Sequence, residues 1–168
     1  RGSNTATVVS ASNNDYGKLY GEFDPSMVTG LLPGALAGRI AYCLDLHGPA
    51  MVVDTACSSS LLAIHEAYAK VASGQVDCAI AGAINLFFVK DWEDNDGDGS
   101  EQVAGPGINS PDGKCKTFDA AADGAGWGEG GGLVVMKSLE RALADRDHIY
   151  AVIKGGGVNQ DGGRSNGL

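Results

Sequence analysis

Clustered positive charge is missing from this sequence: 12 Lys and Arg stand against 21 Asp and Glu, a formal net charge of −9. Phosphate binding needs grouped cations, so nucleic acid is excluded as the main partner. Long apolar runs are missing as well. The stretch CAIAGAINLFFV (78–89) falls short of the ~18 residues of a membrane span and contains Asn85, so it reads as a buried strand, and a membrane partner is excluded. The four cysteines, at 43, 57, 78 and 115, form no CxxC pair and no zinc spacing, and no N-x-[ST] sequon occurs. A metal site is therefore not expected, and neither is a stapled secreted scaffold. Reduced thiols in a cytoplasmic protein fit better. No signal peptide precedes the first strand-like segment, no initiator Met stands before Arg1, and the chain stops directly after strand-like sequence, so a piece of a longer protein is expected.

What is present is enough apolar residue, 43%, to build a core within the length of one ordinary domain. TATVVSAS (5–12) is β-branched and apolar and reads as a buried strand. SMVTGLLPGALAGRIAYCLDL (26–46) predicts a loop followed by a short helix around Ala35–Leu44. A turn at Gly48–Pro49 leads into a strand through Val52 and Val53. From Ser58 the period becomes helical, with Leu61, Ile64, Tyr68 and Val71 on one face and Gly74 as the stop. With the strand at 78–89, this makes a βαβ unit, which requires parallel pairing and cover on both faces of the sheet. Residues 90–117 predict one long polar loop, followed by a strand (131–139), a helix (139–146) and a strand (149–160). The fold class is α/β, a mostly parallel sheet with covering helices.

Cys57 lies in DTACSSSLLAIH (54–65), where the predicted strand turns into the predicted helix. Unpaired N–H groups and the positive end of the helix dipole meet at such a junction and favour a thiolate there. The same N–H groups can receive the oxyanion of a thioester under attack. Small neighbours, Ser58, Ser59 and Ser60, leave room for a substrate. Ser58 itself lacks a G-x-S-x-G elbow and is the weaker nucleophile. Local pattern alone leaves two readings open, a nucleophile or a small residue filling a tight corner.

GPAMVVDTACSSSLLAIHEA (48–67) resembles the active-site segment of β-ketoacyl synthases, in particular the ketosynthase domains of modular type I polyketide synthases. VVSASNNDYG, GRIAYCLDLHGP, SPDGKCKTFDAAADGAGWGEGGGLVVMKSLERA and VIKGGGVNQDGGRSNGL agree with that family in order and spacing. The resemblance implies a thiolase-like fold of two similar halves, with residues 1–147 as the first half, incomplete at its start, and 148–168 as the beginning of the second. It implies an acyltransferase of the 3-oxoacyl-carrier synthase kind in polyketide or fatty-acid-like synthesis, and a homodimer in the full domain. Cys57 would take an acyl chain as a thioester from an acyl carrier protein. A malonyl-type extender, held on phosphopantetheine, would then lose CO2 and attack that thioester. No cofactor is bound by the domain itself.

The family draws two further histidines and a lysine from its C-terminal half, in an H-G-T-G-T stretch and a later N-x-G-H stretch, and neither motif occurs in these 168 residues. The segment alone is therefore expected to be inactive. His47 lies ten residues upstream of Cys57 and His65 eight residues downstream, roughly 12 Å along the helix axis, so neither reaches the sulfur. With His148 they read as structural or surface residues. Two alternatives stay beside the condensing enzyme: a noncatalytic dimerisation or carrier-docking module, and a non-elongating ketosynthase. A cysteine hydrolase would need a base near the thiol, and none stands at a suitable spacing.

Three other signals are discounted. GWGEGG (126–131) satisfies G-x-G-x-x-G but precedes a strand instead of following one, so turn glycines explain it, with Asp119, Asp123 and Glu129 tying the turns. DNDGDG (94–99) mimics half an EF-hand loop, yet position twelve is Gly105, so the acidic segment 91–101 reads as a solvated loop. Cys115, between Lys114 and Lys116, is expected to be accessible to alkylation, whereas Cys43 and Cys78 are expected to be buried and inert.

Overall fold

The computed structural model describes residues 2–11, 16–19, 22, 24–88 and 110–164. Its sheet has four strands in the order β2-β1-β3-β4: β1 (Thr5–Ala11), β2 (Ala50–Val52), β3 (Cys78–Asn85) and β4 (Gly130–Lys137). β1 pairs in parallel with β2 on one side and β3 on the other, and β4 joins β3 antiparallel. The helix between β2 and β3 thus crosses over β1, which takes the place between the two strands of the expected βαβ unit. β1 is the centre of the core: Thr5 to Ser10 are all buried, as a strand covered on both faces must be.

Helix α2 (Pro33–Leu44) packs on β1 and β2, while α3 (Ser59–Ala72) packs on β1 and β3. On the α3 side, Ala6, Val8, Ala79 and Ala81 meet Ala63 and Ala67, with Ile64, Val71 and Met136 at the margin. The buried stripe of α3 is therefore Ser59, Ala63 and Ala67, spaced i, i+4, i+8. Leu61, predicted to face the core, is 71% exposed. The alanines explain this, because small side chains let the helix sit close to the sheet and take the inner face from the larger residues. The helix stops as expected: Gly74 has φ 72, a conformation free of Cβ strain only for glycine, and its N–H donates to the Val71 carbonyl at 3.0 Å.

Further expectations are corrected. Part of the predicted loop before Ala35 is a helix, α1 (Pro25–Leu31), separated from α2 by Leu32 and by Pro33 at the first position of α2. Cys43 is exposed. Two residues past the buried Ala41, it lies about 200° around the helix axis and points away from the sheet. Strand β4 is exposed along most of its length. The segment 149–160 forms no strand. Its apolar residues supply β propensity, but a ladder needs a neighbour, and the described residues offer it none. Helix α4 (Leu139–Asp145) follows β4 as predicted, its start capped by Ser138 Oγ, which accepts from the Arg141 N–H at 3.2 Å. The EF-hand-like motif and the acidic segment 91–101 lie outside the described residues. Among the described residues, no helix is long and apolar enough to cross a membrane, and no group of His, Cys, Asp or Glu could hold a metal.

Candidate active site at the rim of the sheet

The registers bring four strand ends to one rim. Val9 pairs with Val52, Ala11 with Ile84, and Asn85 with Gly130, so the carboxyl ends of the three parallel strands meet the start of β4. This is the edge at which open α/β sheets hold ligands. After β2, residues 53–55 lead into a single 3-10 turn, Ala56–Ser58, which runs directly into α3. Cys57 occupies that turn and is exposed.

The turn is built around one unusual residue. Ala56 has φ 53, in the left-handed region that disfavours a Cβ. Its N–H donates to Asp54 Oδ1 at 2.9 Å. The Thr55 N–H donates to Ser59 Oγ at 2.8 Å, and Ser59 Oγ donates to the Ala56 carbonyl at 2.7 Å. Ser58 Oγ donates to the Thr55 carbonyl at 2.9 Å and lies 2.8 Å from Thr55 Oγ1. Sulfur and backbone N–H of Cys57 itself make no hydrogen bond among the described residues. Sequence reasoning placed Cys57 and the three serines at this junction but missed Asp54. Its signal is the Asp two residues before Ala56, the spacing at which a carboxylate accepts from the backbone in an Asx turn.

The three histidines stand where expected. His47 Nε2 lies 3.0 Å from Asp45 Oδ1 on the surface. His148 stacks edge-on against Tyr150. His65 is half-buried in α3. Its Nδ1 is enclosed without a hydrogen-bond partner among the described residues, and a Cβ on Gly156 would come within 2.6 Å of that nitrogen.

The remaining candidates also resolve into structure. Asp119 Oδ1 accepts from the Ala121 N–H at 2.8 Å, Glu129 Oε1 from the Phe87 N–H at 2.6 Å, and Asp123 from Ser110 Oγ at 2.9 Å and Lys116 Nζ at 2.7 Å. Asp119 and Asp123 tie the local chain, as predicted, whereas Glu129 links the segments that adjoin the paired ends of β3 and β4. Within the glycine stretch, which leads into β4 without forming a turn, Gly126 is closely packed: a Cβ there would collide with the Gly113 carbonyl oxygen, whereas Gly128 and Gly130 face open space. Cys115 is exposed, and its Sγ accepts from the Gly126 N–H at 3.1 Å. Cys78 is only half-buried, and that burial pushes its thiol up from the ordinary value, against the opposing pull of the Ala79 backbone and Lys137.

The description "Beta-ketoacyl synthase, N-terminal domain" matches residues 1–142. The chain is 42% identical over 166 residues to 6-methylsalicylic acid synthase of Aspergillus niger, which covers 96% of this chain and 9% of that protein. It is 45% identical over 159 residues to polyketide synthase GfsA of Streptomyces halstedii, covering 92% of this chain and 2% of that protein. Among solved structures, the ketosynthase from module 6 of the bacillaene synthase of Bacillus subtilis 168 superposes with a TM-score of 0.81 at 38% identity, over 98% of this chain and 27% of that one. The chain thus spans less than a tenth of the length of these curated relatives and about a quarter of the solved ketosynthase. Its sheet order, its rim and its sequence lead to one assignment: the chain belongs to the β-ketoacyl synthase family, and residues 1–142 carry that family's N-terminal domain.

Proposed function

We propose that Cys57 is the nucleophile of a condensing acyltransferase in polyketide synthesis. The observation that carries this reading is the exposed thiol at the sheet rim, one residue past a left-handed turn, with its sulfur and its N–H both uncommitted among the described residues. The Cys57 thiolate attacks the carbonyl carbon of an acyl thioester on a carrier protein. A new C–S bond forms, and the carrier's phosphopantetheine thiol leaves with the proton. The uncommitted N–H is a donor of the kind that stabilises the oxyanion formed on the way. A malonyl-type extender on a carrier then releases CO2, and the resulting carbanion attacks the Cys57 thioester. The thiolate is expelled, and the product is a β-ketoacyl chain two carbons longer. Splitting the condensation into acyl capture and carbon–carbon bond formation gives two easier steps.

The same reading makes residues 1–147 the first half of a ketosynthase and 148–168 the opening of the second, in a cytoplasmic homodimer that binds no cofactor of its own. The histidines that support decarboxylation belong to the second half, so these 168 residues alone capture acyl chains at most and condense nothing. The test is acylation by a carrier-bound thioester, with the modified residue mapped by mass spectrometry. Label at residue 57 in the parent and none in Cys57→Ala is expected. Equal labelling of the two proteins would favour the noncatalytic reading, a dimerisation or carrier-docking module, whose support is the exposed apolar face of β4 at Leu133 and Val135.

A further inference from the structure

Ala56 sits in a conformation that an L-residue with a Cβ does not hold unaided, since the left-handed region is populated mainly by glycine. Strain of this kind persists only where the surroundings over-determine it. The two peptide planes that flank a residue define its φ and ψ, and both planes at Ala56 are held. The plane between Thr55 and Ala56 is fixed at its N–H by Asp54 Oδ1 and at its carbonyl by Ser58 Oγ and the Ser58 N–H. The plane between Ala56 and Cys57 is fixed at its carbonyl, which accepts from both Oγ and N–H of Ser59. Ser59 is 2% exposed, and its Oγ also accepts the Thr55 N–H, so one buried hydroxyl bridges both sides of the strained residue. Ser58, at the N-cap of α3, makes no side-chain capping bond, and the hydroxyl of Ser59, the first residue of the helix, is turned back onto the strand–helix junction.

We infer that Ser59 and Asp54 are positioning residues for Cys57: the buried hydroxyl and the carboxylate hold Ala56 left-handed, and the left-handed turn aims the thiol. The inference rests on the reading of Cys57 as nucleophile. It extends that reading by stating why a residue with no room for chemistry is buried beside it. Its sharpest consequence is a suppressor. Glycine at position 56 adopts the same φ at no steric cost, so the turn then persists without its supports.

The test compares four versions of the full-length protein that contains this chain: the parent, Ser59→Ala, Ala56→Gly and the double variant. Each is treated with acetyl- and hexanoyl-pantetheine thioesters, and the acylation rate at residue 57 is followed by peptide mass spectrometry beside thermal melting. Ser59→Ala is expected to slow acylation about 10-fold, and Ala56→Gly/Ser59→Ala to stay within about threefold of Ala56→Gly alone, a coupling of the size seen for residues in contact. The melting temperature should fall on loss of the hydroxyl in both backgrounds, because the glycine restores geometry and not hydrogen bonds. Ser59→Ala as fast as the parent overturns the inference and leaves the nucleophile reading intact. An equal slowing in both backgrounds also overturns it, since a merely structural serine gives no suppression. Absence of label at residue 57 in the parent overturns the nucleophile reading and this extension with it. Should Ser59→Ala not fold, Asp54→Ala and Asp54→Asn supply the same comparison. The amide keeps an acceptor for the Ala56 N–H, so it should retain several-fold more acylation than alanine, and equal losses overturn the inference.

Discussion

The turns that hold Cys57 and Cys115 are built from the same residue types, and they leave their sulfurs in opposite states. Each combines an aspartate, a buried serine and an exposed cysteine. Around Cys57 the polar side chains spend their hydrogen bonds on the backbone of Thr55 and Ala56, and the sulfur is left uncommitted among the described residues. Around Cys115 the buried Ser110 hydroxyl reaches Asp112 at 2.7 Å and Asp123 at 2.9 Å, and Lys116 bridges the same two carboxylates. The Cys115 sulfur is itself one of the ties, taking the Gly126 N–H. Exposure and flanking residue type therefore do not separate a reactive thiol from a structural one. What separates them is whether the local hydrogen bonds close over the sulfur or beside it.

The largest effect that tests this contrast is on catalysis. Cys57→Ala in the full-length protein should lower condensation by at least about a thousandfold, as loss of a covalent nucleophile does, whereas Cys115→Ala should retain most of the rate; steady-state product formation measures both. Next comes Gly126→Ala, which forces a methyl into the Gly113 carbonyl and should destabilise the Cys115 turn by about 2 kcal/mol, read from denaturant unfolding. A smaller effect is kinetic: iodoacetamide should modify Cys57 about tenfold faster than Cys115, as peptide mapping over a time course will show. Comparable rates at the two sulfurs would erase the contrast.

The smallest effect concerns pH. The Ser110 hydroxyl and then Lys116 hold the Asp112 carboxyl below its ordinary 3.8, and Lys116 and then Ser110 do the same for Asp123. In return Asp123, more than Asp112, raises Lys116 above its ordinary 10.5. A carboxylate whose folded pKa is depressed stabilises the fold above its unfolded value and loses that contribution as pH falls through the folded value. A lysine whose pKa is raised contributes fully below its unfolded value and loses the contribution as pH rises through the folded one. The network therefore stabilises the Cys115 turn between about pH 4 and pH 10 and fades on either side. Lys116→Met should lower the melting temperature by a few degrees at pH 7, and the gap to the parent should narrow toward pH 3. Because these groups are exposed, the shift stays modest and shrinks with added salt.

Much of this arrangement was legible in the sequence where period and punctuation agree. β1, α3, β4 and α4 were found because β-branched runs, helical spacing and a terminal glycine pointed the same way. The Cys57 junction was legible because a strand-like run gives way to a helical one at that residue. The inner face of α3 was misread because size was taken as the guide to burial, while close approach favoured Ala63 and Ala67 over Leu61. The segment 149–160 misled because β propensity reports a capacity to pair and does not supply a partner. The antiparallel entry of β4 and the left-handed Ala56 carry no signature in residue type, since either follows only from where the chain has already been placed.

Strand β4 has one more consequence. It closes the sheet with its second row of backbone donors and acceptors unmatched among the described residues, and with Leu133 and Val135 exposed on one face. Such a margin is adhesive: an extended chain of almost any sequence can dock along it by main-chain pairing alone. Handled by itself, a polypeptide of this composition will tend to cluster through that border, and a lysine introduced at Val135 is the simplest means of keeping it dispersed.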